Sequence, residues 1–386
     1  MVHTVVIAPD SFKGTIAAAA AAQALAEGWC RVRPADAARL LPMADGGEGT
    51  VEAFATAVPG ARRMVVTVTG PEGTPVDASW VLLPPTDAAP AGTGVVELAG
   101  TSGIELLGTP PRLRAFDAHT RGFGEAIAAA LAHGVSRLVL GIGSSASTDG
   151  GTGMLAALGA RFTDAAGQPI PEGGRGLGSI AAADLSGLAP LPPGGVTVLS
   201  DVTNPLLGRD GAAAVFGPQK GAAPAEVAEL DAGLARLASL VPADASAAGA
   251  GAAGGTGFGL LAWGARLVPG SGAVAELVGL REAIAEASGI DASGTKGARP
   301  AVVITGEGAY DGQSAAGKVP AHVAAVAASL GVPVMLVAGR IAADADTSAF
   351  AATASLTDLA GSPQASMSDP ARWLTEAGAA LARALT

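Results

Sequence analysis

Five loops of this chain set acidic residues beside glycine or proline, and each follows a short apolar run typical of a buried strand. Small residues let a backbone approach a ligand closely, and carboxylates can hold a divalent cation or accept a proton. The repeated pattern therefore predicts a site for an anionic substrate together with a metal ion. The loops are APDSFKG (8–14), PMADGGEGT (42–50), GIGSSASTDGGTG (141–153), LSDVTNPLLG (199–208) and ITGEGAYDGQ (304–313).

The polar side chains of these and neighbouring loops match the requirements of phosphoryl transfer. That reaction needs a protein to hold a nucleotide and a magnesium ion, to neutralise charge, and to aim an acceptor hydroxyl. Each residue taken singly has turn formation as its alternative role, because Asp and Asn stabilise turns through their own backbone. Their shared position at strand ends favours chemistry. The candidates are the carboxylates Asp45, Glu48, Asp149, Asp201, Glu307 and Asp311, the lysines Lys13, Lys220 and Lys318, and the short polar residues Ser11, Ser144, Ser145, Thr148 and Asn204.

Two short nucleotide-binding fingerprints match the chain but fail at the residues that perform their chemistry. GIGSSA (141–146) fits G-x-G-x-x-G/A, yet residues 147–151 separate it from the next predicted helix, and Asp149 would face the pyrophosphate. GQSAAGKV (312–319) fits the Walker A spacing, yet Val319 stands where a Ser or Thr hydroxyl should bind magnesium. A nicotinamide site and a true P-loop are therefore disfavoured, and Lys318 either faces a phosphate at a helix N-terminus or caps a loop.

Histidine and cysteine offer no alternative catalytic arrangement. His3, His119, His133 and His322 lie apart, without the spacing of a Ser-His-Asp triad, and a structural role is favoured for His119. Cys30 is the single cysteine, so it cannot form an internal disulfide, and no Cys/His zinc spacing is present. A hydrolase triad and a zinc site are therefore disfavoured.

Charge and hydropathy exclude two classes of partner. The net charge is −11 and there is no basic run, whereas binding to nucleic acid needs a basic face. No window approaches about 18 uninterrupted apolar residues, and the N-terminus lacks the long apolar core of a secretory signal. We therefore predict a soluble, cytoplasmic protein that acts on a small molecule, with a homodimer as one candidate assembly.

The alternation of strands and helices predicts two domains. At 386 residues the chain exceeds the size at which one hydrophobic core usually stops growing. The first sixty residues alternate strand and helix, with a helix at 16–28 capped by Thr15. Two strands about a Pro/Gly turn follow at 62–84, and plain α/β alternation returns after residue 300.

We therefore predict an α/β fold in which a Rossmann-like parallel-sheet domain is built from both chain ends (1–65 and 295–386). The second domain is an inserted, mixed α/β domain (66–294). Within it, the patterns predict helices at 121–133, 152–159 and 224–240 and strands at 137–143 and 196–201. The Gly/Ala stretch 245–259 is either a flexible linker or an ordered turn lined by glycine.

The order of the motifs resembles the bacterial glycerate kinase family, of the type I, glycerate 2-kinase class. Besides the five loops, the resemblance rests on AHTRGFGEAI, AVFGPQKGA and GAGAAGGTGFG, and it covers nearly the whole chain. The family's GGSATNDGG reads GSSASTDGG here, so Ser144 stands in place of Gly and Thr148 in place of Asn. Before Asp311, Ala309 and Tyr310 stand where the family tends to have Arg or Ser and then Leu or Ile. The resemblance implies a two-domain α/β fold and ATP-dependent phosphorylation of D-glycerate with Mg²⁺, giving 2-phosphoglycerate.

The resemblance also implies a site in the cleft between the two domains, where ATP-magnesium approaches D-glycerate from the opposite wall. We expect Asp201 or Asp45 to orient the acceptor hydroxyl, and Lys13, together with Lys220 and Lys318, to neutralise phosphate charge. The metal candidates are Asp149, Glu307 and Asp311. The candidates for binding substrate or nucleotide are Asp10, Ser11, Gly46, Gly47, Ser144, Ser145, Thr148, Asn204, Gln219, Lys220 and Lys318.

Other functions stay open at this point. The chain could phosphorylate another small hydroxy acid or give the 3-phosphate. It could be a nicotinamide-dependent oxidoreductase that uses the GIGSSA turn, or a sugar-acid binding protein without catalysis. The number of candidate magnesium carboxylates argues against a binding protein, because a sensor needs none.

Overall fold

The computed structural model describes residues 2–290, 299–312 and 318–385. In chain order the strands are β1 (Thr4–Pro9), β2 (Ala37–Leu40), β3 (Arg62–Thr69), β4 (Pro75–Leu83), β5 (Thr93–Glu97), β6 (Arg137–Gly141), β7 (Arg161–Thr163), β8 (Ala182–Asp184), β9 (Val196–Leu199), β10 (Arg266–Val268), β11 (Ala301–Tyr310), β12 (Val334–Ile341) and β13 (Ala352–Ser355). The α-helices are α1 (Ala18–Val32), α2 (Thr50–Ala57), α3 (Ala99–Ser102), α4 (Arg121–His133), α5 (Thr152–Ala157), α6 (Gly174–Leu177), α7 (Ala212–Phe216), α8 (Pro224–Leu240), α9 (Ala252–Trp263), α10 (Gly270–Leu277), α11 (Leu280–Ser288), α12 (Val319–Ser329), α13 (Leu356–Ala360), α14 (Pro363–Ser368) and α15 (Pro370–Ala384). Two 3₁₀ helices span Ile104–Leu107 and Pro218–Lys220.

The chain divides into two compact units. Unit 1 comprises Met1–Asp45, Glu52–Pro59 and Ser271–Thr386, and unit 2 comprises Gly46–Val51 and Gly60–Gly270. The return to unit 1 therefore comes at residue 271, where the sequence predicted 295. The cause is α11, which packs against β1 and β11 of unit 1.

Unit 1 is built on a five-stranded parallel sheet with the order β13-β12-β11-β1-β2. The N-terminal strand β1 pairs with β11 from Thr4 opposite Ala301 to Pro9 opposite Gly306, so both chain ends are needed to complete this sheet. The alanine-rich α1 packs against α15, and Trp29 and Leu374 are fully buried in the same core as Ile7 of β1. Carboxyl ends of parallel strands meet at one edge of such a sheet, and the loops that leave this edge carry candidate residues.

Unit 2 contains a six-stranded sheet with the order β10-β9-β6-β5-β4-β3. Strands β3, β4 and β5 are antiparallel neighbours, whereas β5, β6, β9 and β10 run parallel. A separate small sheet pairs β7 with β8. The aliphatic core includes Phe123 of α4, Leu138 of β6 and Phe258 of α9, all fully buried. The mixed α/β fold with a parallel sheet and a mixed sheet confirms the predicted fold class.

The structure corrects one local prediction and decides between the two alternatives stated for another. Thr15 does not cap the first helix: its hydroxyl donates to the carbonyl of Phe12, and α1 starts at Ala18 with Ala17 as its cap residue. The Gly/Ala stretch 245–259 is ordered and leads into α9, with Ala253, Gly254 and Gly255 in left-handed backbone conformations. Along the described ranges, no helix has the length and apolar character needed to cross a membrane.

Candidate functional site

The loop between β6 and α5 (142–151) is held together by the buried carboxylate of Asp149. Its Oδ2 accepts hydrogen bonds from the backbone N–H of Thr120 at 2.9 Å, the Thr120 hydroxyl at 2.8 Å and the N–H of Gly153 at 3.2 Å. Its Oδ1 accepts from the N–H of Gly151 at 3.0 Å, and Asp149 has no exposed surface. These bonds saturate the carboxylate with donors and join the start of α5 to the residue that precedes α4.

The Asp149 contacts also argue against a dinucleotide site in this loop. A bound pyrophosphate would need the free N–H groups at the start of the helix that follows the strand. Here the N–H groups of Gly151 and Gly153 already donate to Asp149. Because α5 has only six residues and its first N–H groups are occupied, the geometry disfavours the nicotinamide reading of GIGSSA.

Lys220 reaches the same loop from the segment after α7. Its Nζ donates to the hydroxyl of Ser145 at 2.7 Å and to the carbonyl of Ser147, and the side chain is almost fully buried. Burial lowers the pKa of Lys220 to about 7, and the nearby charge of Asp149 partly opposes that shift. Lys220 therefore ties the 144–148 part of the loop to the protein interior, whereas its neighbour Gln219 is exposed.

Two hydroxyl groups close to Lys220 have no hydrogen-bond partner among the described residues. The Oγ of Ser147 and the Oγ1 of Thr148 are buried without a hydrogen bond. The backbone of α9 closes over them: Gly254 has a φ of +66°, and a Cβ there would lie 2.1 Å from the carbonyl oxygen of Ser147. Ser144 also has a positive φ of 58° and accepts the N–H of Ile104 at 2.9 Å. The predicted residues Ser144, Ser145 and Thr148 thus belong to one rigid, polar turn.

Gly46 and Gly47 lie at the carboxyl ends of the parallel strands of unit 2. The carbonyl of Gly46 accepts the N–H of Gly143 at 3.0 Å, just beyond β6. Gly46 has a φ of +96°, and a Cβ there would lie 2.4 Å from the carbonyl oxygen of Leu199, the last residue of β9. Only glycine fits this position, so the structure brings the second and third loops of the sequence together.

The loop after β9 carries Asp201 and Asn204. The Oδ1 of Asp201 accepts the N–H of Gly270 at 2.8 Å, and the residue is exposed. The side-chain amide of Asn204 donates to the backbone carbonyl of Asp210 at 2.8 Å, and the backbone carbonyl of Asn204 accepts the N–H of Gly251 at 2.9 Å. Asp201 therefore keeps an exposed carboxylate in a fixed position, while Asn204 shapes the loop.

Glu97 was missed by sequence reasoning, although it follows the same pattern of an apolar strand ending in an acid. It is the last residue of β5, and its Oε2 accepts the N–H of Val51 at 2.9 Å. Burial raises the pKa of Glu97 to about 7, the Val51 hydrogen bond opposes this, and Glu48 raises it further. The signal that could have identified it is the acid directly after the apolar residues in the run VVELAG. The turn there is poorly marked, because the run has no proline and a single glycine.

Unit 1 brings together a second group of predicted residues at the carboxyl ends of β1 and β11. The N–H of Asp10 donates to the carbonyl of Gly306 at 2.8 Å, and a Cβ on Gly308 would lie 3.3 Å from the nitrogen of Lys13. Asp10 in turn accepts the N–H of Ser11 at 2.7 Å. The backbone of Lys13 therefore lies beside the end of β11, and the residue is exposed.

Acidic side chains and a further lysine complete this group in unit 1. Glu307 is buried within β11, Asp311 follows that strand, and the Nζ of Lys318 lies 3.9 Å from the Oε2 of Glu307. Asp45 is exposed, and the nearby N–H of Met43 donates to the carbonyl of Pro9 at the end of β1. Lys318 occupies the N-cap position of α12, while residues 313–317 of the Walker-like segment lie outside the described residues.

The candidate metal ligands are divided between the units, with Asp149 in unit 2 and Glu307 and Asp311 in unit 1. Over 2–290, 299–312 and 318–385, no three His, Cys, Asp or Glu side chains form a group that could hold a metal ion. Hard carboxylate oxygens remain the ligands that Mg²⁺ prefers, and it usually takes only one or two of them beside substrate phosphates and water.

Tyr310 and His119 have packing partners. The Tyr310 ring lies edge-on to Phe350 with 5.6 Å between centroids, and its hydroxyl donates to the carbonyl of Asp346. Tyr310 is buried, so its ring packs inside the protein. His119 is buried, with its Nε2 3.2 Å from a carboxylate oxygen of Glu172.

Comparison with known proteins gives one consistent result. The model of the glycerate kinase family matches residues 5–386. A glycerate kinase of Halalkalibacterium halodurans is 41% identical over 346 residues, which is 88% of this chain and 86% of that protein. The glycerate 2-kinase of Escherichia coli K12 is 41% identical over 347 residues, with the same coverage. A crystal structure from Salmonella typhimurium LT2, described as glycerate kinase 2, superposes with a TM-score of 0.80 at 37% identity and covers 100% of this chain and 98% of that one.

Proposed function

We propose a specific reaction for this chain, which belongs to the glycerate kinase family and is a kinase. It transfers the γ-phosphoryl group of ATP to D-glycerate and forms 2-phosphoglycerate. One observation carries the proposal. The acid, lysine and glycine loops expected of a phosphoryl-transfer site leave the carboxyl ends of parallel strands in a chain 41% identical to a glycerate 2-kinase.

Unit 1 supplies charges suited to the nucleotide. The exposed ammonium groups of Lys13 and Lys318 can neutralise phosphate oxygens near the ends of β1 and β11. Glu307 and Asp311 are the carboxylates that would hold Mg²⁺ there, consistent with the preference of that ion for hard oxygen ligands. When bound, Mg²⁺ neutralises charge on the β- and γ-phosphates.

Unit 2 supplies the rigid polar turn suited to a small anion. Ser145, held by Lys220, and the adjacent Ser144 would bind substrate or nucleotide together with the backbone of Gly46 and Gly47. Asp201 or Asp45 would orient the acceptor hydroxyl and accept its proton as the new oxygen–phosphorus bond forms and ADP leaves. The exposure of Asp201 and its hydrogen bond from the N–H of Gly270 support this role, because the carboxylate is both accessible and held in position.

ADP release tests the proposal. We expect purified protein with ATP and Mg²⁺ to release ADP in proportion to added D-glycerate, and to release far less with lactate or with L-glycerate. A coupled pyruvate kinase and lactate dehydrogenase assay reports the ADP. Turnover that is equal with and without D-glycerate, or that prefers another hydroxy acid, would contradict the proposed substrate.

A further inference from the structure

Glu97 lies at the end of an inner strand of unit 2, and none of the roles proposed above involves it. It ends β5, next to β6, and its partly buried carboxylate accepts the N–H of Val51 at 2.9 Å, while the neighbouring N–H of Thr50 faces the carbonyl of Gly47. Thr50 and Val51 are the first two residues of α2. A negative charge at this position is favourable because the first N–H groups of a helix have no partner within it.

The loop that Glu97 holds is the one that carries Gly46 and Gly47. The hydroxyl of Thr50 donates to the carbonyl of Gly47 at 2.7 Å, so fixing Thr50 also fixes the turn before it. At the other end of the turn, the carbonyl of Gly46 accepts the N–H of Gly143. Glu97 therefore anchors one side of a loop whose opposite side touches the ends of β6 and β9.

The charge of Glu97 is retained at a cost to the folded state. Burial raises its pKa from 4.5 to about 7; the Val51 hydrogen bond, the nearby N–H of Thr50 and the charge of Arg63 oppose the shift, and Glu48 adds to it. A carboxyl group with a raised folded-state pKa contributes stability below pH 4.5 that is lost as the pH rises through about 7. Perturbed groups of this kind concentrate at functional sites.

We propose that Glu97 is a positioning residue of the kinase site: its carboxylate, by accepting the N–H of Val51 next to Thr50, holds Gly46 and Gly47 in place against the ends of β6 and β9. The inference rests on the proposed function, because it assigns Glu97 to the reaction through the loop that would bind substrate or nucleotide. Glu97 itself need not touch either molecule.

The test compares kcat/KM against pH for the wild type and Glu97→Gln. The amide keeps the shape and one acceptor oxygen but loses the charge, so we expect kcat/KM to fall by about 10- to 100-fold at pH 8. The wild type should lose activity as the pH falls below about 7, and Glu97→Gln should lack that acidic limb. In Glu48→Gln the limb should move to lower pH, because Glu48 raises the pKa of Glu97.

Glu125→Gln is the matched control. Glu125 also accepts a backbone N–H, from Thr69 at 2.7 Å; burial raises its pKa, but that bond and Arg121 lower the pKa overall. The sign of the stability effect is therefore opposite for the two variants. At pH 8 we expect Glu125→Gln to melt at a lower temperature with kcat/KM unchanged, and Glu97→Gln to melt at a higher temperature with kcat/KM reduced.

Two results would overturn the role of Glu97. One is an acidic limb that coincides in the wild type and Glu97→Gln, since the limb would then belong to another group, such as the nucleotide. The other is a loss of activity in Glu97→Gln that accompanies a lower melting temperature at pH 8, as a purely structural contact would give.

Failure of the proposed function is recognised separately, because the wild type would then show no D-glycerate-dependent ADP release at any pH. Amide hydrogen exchange of residues 46–51 still tests the anchoring in that case, with faster exchange expected in Glu97→Gln.

Discussion

Replacement of Asp149 by alanine is expected to lower the free energy of unfolding by about 3–5 kcal/mol. The fully buried carboxylate accepts hydrogen bonds from Thr120, Gly151 and Gly153, so the substitution leaves several buried donors without a partner. Each such donor costs about 1–3 kcal/mol. Urea denaturation followed by tryptophan fluorescence measures the loss.

Asp164→Ala is the control for Asp149→Ala. Asp164 also accepts backbone N–H groups, from Ala166 and Gln168 at 2.9 Å each, but it does so in an exposed turn where water can replace it. We expect it to lose about 1 kcal/mol or less. Equal losses in the two variants would show that the buried Asp149 network does not organise the β6–α5 loop.

The second large effect concerns catalysis. Asp45→Asn and Asp201→Asn keep the shape of each side chain but remove its charge and its ability to accept a proton. We expect at least one of them to reduce kcat by about 10²- to 10⁴-fold, the range typical of a general base. For Asp201, the asparagine oxygen can still accept the N–H of Gly270, so the fold of the β9 loop is preserved.

Asp210→Asn is the matched control for this pair, because Asp210 is exposed and its carboxylate pairs with the guanidinium of the neighbouring Arg209 at 3.1 Å. It should retain wild-type kcat. Steady-state ADP release and thermal melting, measured for all of these variants, separate catalytic loss from unfolding. Near-wild-type kcat in both Asp45→Asn and Asp201→Asn would remove these residues from the proposed mechanism.

Regular elements with clear end signals were predictable from the sequence. The helices at 121–133 and 224–240 have the predicted bounds in α4 and α8, since Gly134 ends the first in a left-handed conformation and Pro224 begins the second. The parallel sheet built from both chain ends was also predictable, because its three central strands β1, β11 and β12 contain buried apolar runs.

The features that determine the character of the site were less accessible. Burial of Lys220, and with it the lowered pKa, depends on its meeting Ser145 and Ser147 from a distant part of the chain. Glu97 lies in a run without a clear loop motif. Its environment depends on Val51, a residue distant in sequence whose N–H donates to the Glu97 carboxylate at the end of β5. Side-chain environment of this kind is a tertiary property, whereas periodicity and turn residues report mainly local structure.

The position of the new phosphate tests the proposed reaction most directly. Products formed from ATP, Mg²⁺ and D-glycerate are passed to enolase, either alone or with added phosphoglycerate mutase. A glycerate 2-kinase gives phosphoenolpyruvate with enolase alone, at the rate of ADP release, and added mutase is not required. A signal that appears only when mutase is present would show the 3-phosphate and contradict the assignment, and the absence of any phosphoenolpyruvate under both conditions would contradict glycerate phosphorylation itself.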